Sequence, residues 1–285
     1  MLTEREWKSF HRLLDIALEE DLGTGGDVTS EAIFQSERCS CKLLSRDQGV
    51  LAGIECFQQV FHRIDPSVHW DFLSQDGTEL SAGMVVARLN GPTKSILIAE
   101  RTALNFLGYL SGIATATHRM VLAAKERGRS VILDTRKTLP GYRNLAKYAV
   151  RVGGGENHRF GLYDMVLIKD NHIDAVGSLS EAVKRVRSRW GNQFLIEVEC
   201  RTLEDVEEAV DAGVDRILLD NMDLETTAAA VRQVGGRVPL ESSGDMTVDR
   251  VRAFAATGVE FISVGRITHS VSSFNFSLQV EKEAP

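Results

Sequence analysis

From Val131 onward, short apolar runs alternate with helical patterns. VILDTRKT is followed by NLAKYAVRVGG, DMVLIKDNH by SLSEAVKRVRSRWG, and FLIEVEC by TLEDVEEAVDAG. DRILLDNM then precedes LETTAAAVRQVGG, VPLESSGDM precedes TVDRVRAFAATG, and VEFISVGRI closes the series. The runs are β-branched and bounded by Gly, Asp and Thr, as expected of parallel strands buried on both faces. Thr202 with Glu204 in the first turn, and Gly213 at the end, are start and stop signals of one intervening helix. Six strand–helix steps of about 20 to 35 residues predict a parallel α/β fold, either a barrel or an open sheet.

The placement of polar residues selects the barrel. They gather at the C-terminal end of each run: Asp134, Arg136 and Lys137; Lys169; Glu197 and Glu199; Asp220 and Asn221; Ser243; Gly265. A barrel collects its chemistry on that one face. An open sheet concentrates ligand residues at one topological switch point. Here every strand contributes, and with six strands visible the barrel has fewer than eight.

The first 110 or so residues read differently. A leading helix carries Trp7, Phe10, Leu13, Leu14, Ile16 and Ala17 at helical spacing. Alternating segments around CSCKLLSRDQG, HWDFLSQDG and MVVARLNG follow, separated by Gly and Asp turns, and predict a mixed sheet with one open face. A long helix over Ser95 to Arg127 then leads into the barrel. The tail SFNFSLQV alternates strictly, with Phe274, Phe276, Leu278 and Val280 on one side. A strand after the last barrel step has no place in the barrel, so it is expected to return to the N-terminal sheet.

Composition narrows the function classes. Thirty-three Lys and Arg against forty Asp and Glu give a net charge of -7, which argues against a primary role on nucleic acid. No apolar run approaches the roughly 20 residues of a membrane span, and the N-terminus lacks a signal-peptide core. The expectation is a cytoplasmic protein. Cys39, Cys41, Cys56 and Cys200 read as reduced, structural thiols.

The segment from Asp134 to His172 is the most unusual. It holds Arg136, Lys137, Arg143, Lys147, Arg151, Arg159 and Lys169, with His158 and His172. Arg143, Lys147 and Arg151 share one helix face and read equally as solvated surface or as ligand groups. Arg136 and Lys137 end a buried strand, where an unpaired charge is costly and an anion is the natural partner. The run GGGENHR lets backbone approach a ligand, but it lacks the ending of a nucleotide P-loop.

Lys169 admits three readings: a Schiff-base nucleophile, a cation for an anionic ligand, or an ion-pair partner. Glu197 and Glu199 point to one side of their strand. With Asp220 they suit Mg²⁺ or sugar hydroxyls. Ser242, Ser243, Gly244 and Gly265 fall in the last two loops, where barrels commonly cradle phosphate. Assembled on one face, these groups suit two anions side by side. That is the requirement for transferring a phosphorylated sugar onto an acidic acceptor, with Mg²⁺ escorting the leaving group.

The motifs AERTALNFLGYLSGIAT, DTRKTLPGYR, KYAVRVGGGENHRFGLYDMVLIKDNHI, IEVEC, ILLDNM, ESSGDMT and SVGRITHS closely resemble those of the quinolinate phosphoribosyltransferases. The resemblance runs in order from EEDLGTGGDVTS, near residue 19, to the C-terminus. It implies an N-terminal α+β open-faced sandwich over 1–115, joined by a C-terminal strand in 271–285. An incomplete α/β barrel of six or seven strands would occupy 116–270, in a homodimer with hexamers left open.

By this similarity Arg101, Arg136, His158 and Arg159 should bind the two quinolinate carboxylates, Arg101 coming from the partner subunit. Lys137 and Lys169 should lie between quinolinate and the pyrophosphate of phosphoribosyl pyrophosphate. Glu199 and Asp220 should hold the ribose hydroxyls and Mg²⁺, the spacing to Asp220 favouring Glu199 over Glu197. Ser243, Gly244 and Gly265 should hold the ribose phosphate. The resemblance implies attack by the quinolinate nitrogen, loss of pyrophosphate and decarboxylation to nicotinate mononucleotide, a step of NAD biosynthesis. Arg266 departs from the pattern, standing where relatives carry a small residue. The rivals are a transferase of the same fold with another acceptor, and a Schiff-base lyase using Lys169.

Overall fold

The computed structural model describes residues 1–281; residues 282–285, the end of the anticipated terminal strand, lie outside them. In chain order the strands are β1 (Arg38–Ser45), β2 (Gly49–Val50), β3 (His69–Phe72), β4 (Glu79–Leu80), β5 (Val85–Pro92) and β6 (Val131–Leu133). They continue as β7 (Val166–Ile168), β8 (Ile196–Cys200), β9 (Arg216–Asp220), β10 (Leu240–Ser243), β11 (Phe261–Ser263) and β12 (Phe276–Val280). The chain divides into two units. One comprises Met1–Ala116, Leu139–Gly154 and the chain from Ser270 on; the other comprises Thr117–Thr138 and Gly155–His269.

The first unit holds an antiparallel sheet in the order β12-β1-β5-β3, beside the small pair β2-β4. β12 lies antiparallel to β1, with Phe276 opposite Ser45 and Val280 opposite Cys41. The helix Glu4–Leu22 starts on a capping box of Thr3 and Glu6 and buries Phe10 and Leu14. The helix Ile54–Ile64 buries Phe57, Val60 and Phe61. β3 leaves His69, Asp71 and Phe72 exposed, so the sheet keeps an open side.

The segment Leu139–Gly154 groups with this first unit, where the division at 115/116 had put it in the barrel. The reason is packing of its helix, Arg143–Val152, on the helix Glu4–Leu22. Asn144 Nδ2 donates to Ser9 Oγ at 2.6 Å, and Arg151 Nη2 lies 2.9 Å from Glu6 Oε1. Lys147 is fully buried, so Arg143, Lys147 and Arg151 do not form one solvated face.

The second unit is a parallel sheet in the order β6-β11-β10-β9-β8-β7. Strands adjacent in sequence are neighbours from β7 to β11, and β11 then pairs with the first strand, β6. The sheet thus curls back onto its own start, as a barrel does. It stays open between β6 and β7, where one parallel bridge pairs Glu156 with Leu133 on the free edge of β6. Helices Leu179–Trp190, Leu203–Asp211, Leu224–Val234 and Val248–Ala255 alternate with the strands and bury apolar residues such as Val183, Val206, Ala230 and Val251.

Alternation along each strand sorts the side chains. On β8, Ile196, Val198 and Cys200 take one face while Glu197 and Glu199 take the other, and all five residues are buried. On β9 and β10 the residues sharing the acidic face are Arg216, Leu218 and Asp220, and Glu241 and Ser243. Barrel interiors are commonly filled with branched apolar side chains. This one instead carries a column of charged and polar groups.

Candidate active site

A cavity of about 380 Å³ sits at the C-terminal ends of the barrel strands. Arg136, Lys137, His158, Arg159, Lys169, Glu199, Asp220 and Ser243 all line it, together with Thr135, Leu167, Leu218, Glu241 and Ser263. Eight of the eleven residues expected at the site therefore meet in one place. Gly244 and Gly265 sit beside it. Arg101, exposed on the helix Thr93–Arg127, lines instead a cavity of the first unit with Tyr109, Tyr142 and Phe274.

His158 and Arg159 reach the cavity because their loop pairs alongside β6. The Glu156 N–H donates to Ile132 O at 2.8 Å, and Glu156 O accepts from the Asp134 N–H at 3.2 Å. Asp134, fully buried, fixes the next turn: it accepts from the His158 N–H at 3.0 Å and from Asn157 Nδ2 at 2.6 Å. The arginine's own N–H donates to His158 Nδ1 at 2.8 Å. Arg159 Nη1 donates to Met165 O at 3.1 Å, whereas its buried Nε meets no hydrogen-bond acceptor among the described residues. Burial first, and the neighbouring Arg136 charge second, push the Arg159 guanidinium below its ordinary range. A buried donor left unsatisfied beside a second cation is a costly arrangement that an anion relieves.

The acidic side is ordered by the pleat. Glu199 lines the cavity and pairs with Lys169 Nζ. Glu197 lies two residues deeper on the same face, its Oε2 at 2.8 Å from His158 Nε2. Lys169 is thus an ion-pair partner rather than a free amine awaiting a carbonyl. Asp220 accepts from Asn221 Nδ2 at 3.0 Å, and the Asn221 N–H donates to Ser243 O at 3.0 Å, tying the ends of β9 and β10 together. Ser242, also expected at the phosphate, is buried and falls on the opposite face of β10 from Ser243.

Backbone strain concentrates at this mouth. Asn221 and Asp245 take φ of 55° and 42°, and Gly244 takes φ of 122°. A Cβ on Gly244 would stand 2.4 Å from Asn221 Oδ1 and 3.0 Å from its Cα. Strain of this kind marks places where surrounding structure imposes a conformation. Gly265 has a different reason to be small: a Cβ there would stand 3.1 Å from Lys137 Cδ, crowding the stem of a cavity lysine. Arg266 is exposed and does not line the cavity.

Sequence reasoning missed two residues. Glu241 lines the cavity floor, and Arg216 Nη1 lies 3.2 Å from its Oε2. Burial, reinforced by the Glu197 charge, pushes Glu241 up to about 7. The signal was present in the alternation: if Ser243 faces the site, Glu241 two residues earlier faces it as well.

The chain matches the family models for the N-terminal domain of quinolinate phosphoribosyl transferase over residues 27–111 and for its C-terminal domain over 113–279. A Bacillus subtilis (strain 168) protein named probable nicotinate-nucleotide pyrophosphorylase (carboxylating) is 43% identical over 269 residues, covering 94% of this chain and 92% of that protein. The crystal structure of NadC from Streptococcus pyogenes is similar with a TM-score of 0.91 at 40% identity, covering 96% of this chain and 98% of that one. The nicotinate-nucleotide pyrophosphorylase structure from Francisella tularensis reaches a TM-score of 0.91 at 38% identity, covering 96% of both chains.

Proposed function

The chain belongs to the quinolinate phosphoribosyltransferase family, and from that premise we propose that it joins quinolinate to phosphoribosyl pyrophosphate with loss of carbon dioxide. The products are nicotinate mononucleotide and pyrophosphate, a step of NAD biosynthesis. One observation carries this reading. Arg159, with a buried and unsatisfied Nε beside Arg136, faces the same cavity as the carboxylates Glu199 and Asp220. Cations for an acidic acceptor and acids for a sugar share one chamber.

In this reading Arg136 and Arg159, with His158 beside them and Arg101 from a second copy of the chain, meet the two quinolinate carboxylates. Lys137 and Lys169 neutralise charge between the acceptor and the pyrophosphate. Ser243, Gly244 and Gly265 cradle the ribose phosphate. Glu199 and Asp220 accept from the ribose hydroxyls and stabilise positive charge developing at the anomeric carbon. The ring nitrogen bonds to that carbon as its bond to the pyrophosphate oxygen breaks. The nitrogen becomes cationic, the adjacent carboxylate leaves as carbon dioxide, and its electron pair is held next to the positive nitrogen until a proton replaces it.

Glu199 and Asp220 also offer the hard oxygen ligands that Mg²⁺ takes, and both line the cavity, so the residues fit the ion. Bound there, Mg²⁺ would offset the charge of the departing pyrophosphate. A homodimer belongs to the same proposal through Arg101. Cytoplasmic residence agrees with four free thiols, three of them buried. No helix among the described residues is long and apolar enough to cross a membrane.

The test is direct. Purified protein incubated with quinolinate, phosphoribosyl pyrophosphate and Mg²⁺ should release pyrophosphate and carbon dioxide in equal amounts, and nicotinate in a parallel tube should not substitute. Turnover of nicotinate alone, or a borohydride-trapped adduct on Lys169, refutes the assignment. The phosphate cradle makes its own prediction. In Gly244→Ala the added methyl meets Asn221, and overpacking costs about 1–3 kcal/mol. The KM for phosphoribosyl pyrophosphate should rise roughly tenfold or more, with the quinolinate KM little changed in the same steady-state assay.

A further inference from the structure

At the floor of the cavity His158 meets two glutamates, Glu197 and Glu241, that the reaction as described leaves unused. A backbone N–H can only donate, so the Arg159 N–H at 2.8 Å requires His158 Nδ1 to carry its lone pair. The ring's proton therefore sits on Nε2, the tautomer being set by this second hydrogen bond. That one N–H faces two carboxylates from two strands: Glu197 Oε2 at 2.8 Å and Glu241 Oε2 at 3.5 Å. Both glutamates are fully buried, and each has an Oε1 without a hydrogen-bond partner among the described residues.

Among the described residues the cation in contact with the pair is Arg216, while the Arg159 charge acts on Glu197 from the cavity side. Arg216 Nη1 lies 3.2 Å from Glu241 Oε2, with its guanidinium over the Phe261 ring at 4.2 Å. Counted over the groups in contact, two ionised carboxylates, a neutral imidazole and the Arg216 guanidinium leave a net negative charge in a desolvated interior, to be met from above by Arg159. One proton on the carboxylates removes it. The three groups are spaced closely enough to hold a cation. However, Arg216 already occupies that role, and Nδ1 is committed to a backbone N–H.

We infer that Glu241 is a positioning residue: as a neutral acid clamped between Arg216 and His158, it fixes the imidazole and keeps the barrel floor uncharged, so that the cations above are reserved for the acceptor's carboxylates. The inference rests on the quinolinate reading of the cavity. The groups facing Glu241 are Glu197 from β8, Arg216 from β9, the Ser263 hydroxyl from β11, and His158 from the loop paired beside β6. Arg159 and Glu199 stand above it. Burial together with Glu197 raises the Glu241 carboxyl to about 7, so its proton is lost as pH rises through neutrality. The released charge lies under the acceptor site and repels a dianion.

The experiment measures both KM values at pH 6 to 9 for the wild type and Glu241→Gln, an amide that cannot ionise. For one proton with a midpoint near neutrality, the wild-type quinolinate KM is expected to rise about tenfold from pH 6 to pH 8. Glu241→Gln should abolish that rise. The KM for phosphoribosyl pyrophosphate should follow the same pH course in both proteins. A purely structural Glu241 shifts Tm without moving the pH profile. If the amide variant does not fold, Glu241→Leu removes the same titrating group and is read the same way. Parallel quinolinate profiles in wild type and variant overturn the inference while leaving the functional reading intact. Absence of quinolinate turnover by the wild type at every pH removes the functional reading and this inference with it.

Discussion

Arg136→Ala should raise the quinolinate KM roughly 100-fold while the KM for phosphoribosyl pyrophosphate stays within about threefold and the protein remains folded. The magnitude follows from the hydrogen bonds that alanine cannot make. Hydrogen bonds to charged groups contribute about 1.5–3 kcal/mol each, and a guanidinium meets a carboxylate through two of them. About 3 kcal/mol corresponds to roughly two decades in affinity. The fold should survive because Arg136 lies in the turn after β6 and lines the cavity rather than the core, and because its charge is unfavourable to Arg159. Arg136→Lys keeps the charge but loses the planar fork, so it should fall between wild type and alanine. Steady-state kinetics on both substrates, with thermal melts as the folding control, give the answer. An unchanged quinolinate KM removes Arg136 from the acceptor site.

The barrel was legible because its signals are local. Each strand ends in polar residues, and a parallel fold turns that one-dimensional regularity into a shared mouth. Arg136, Lys169, Glu199 and Asp220 are far apart in the chain yet occupy equivalent strand ends, and they line one cavity. The β8 pleat likewise put Glu197 and Glu199 on one face.

What escaped was decided by packing. Lys147 looks like a surface lysine at four-residue spacing from Arg143 and Arg151, yet it is fully buried, and no periodicity distinguishes the two fates. The helix Arg143–Val152 follows a barrel strand in sequence but joins the first unit through Ser9 and Glu6, partners more than a hundred residues away. Arg216 opens β9 and reads as an ordinary strand-edge cation. Its meaning appears only when Glu241, on the neighbouring strand β10, is placed beside it. Glu241 itself was hidden by the serines after it, which drew attention to phosphate and away from the strand interior.

Glu199→Gln should lower kcat roughly 1,000-fold with the quinolinate KM within a few-fold of wild type. A carboxylate at the sugar contributes where positive charge develops, so its effect belongs to the transition state more than to ground-state binding. Removing one preorganised electrostatic partner typically costs about a hundred- to a thousandfold in kcat. The upper end applies here for a second reason. Glu199 pairs with Lys169, so the amide also leaves the ammonium without its carboxylate at the pyrophosphate side of the cavity. Lys169→Ala separates the two effects: it spares the anion and should reduce kcat less than Glu199→Gln does. Asp220→Asn, from the neighbouring strand, should resemble Glu199→Gln in kind, losing kcat before acceptor affinity. Glu197→Gln provides the contrast within the same strand, because Glu197 touches His158 and stays outside the cavity lining. Its effect should fall on quinolinate KM. If Glu199→Gln instead raises the quinolinate KM and spares kcat, the two glutamates have been assigned to the wrong substrates, and the sugar lies deeper in the barrel than the cavity lining suggests.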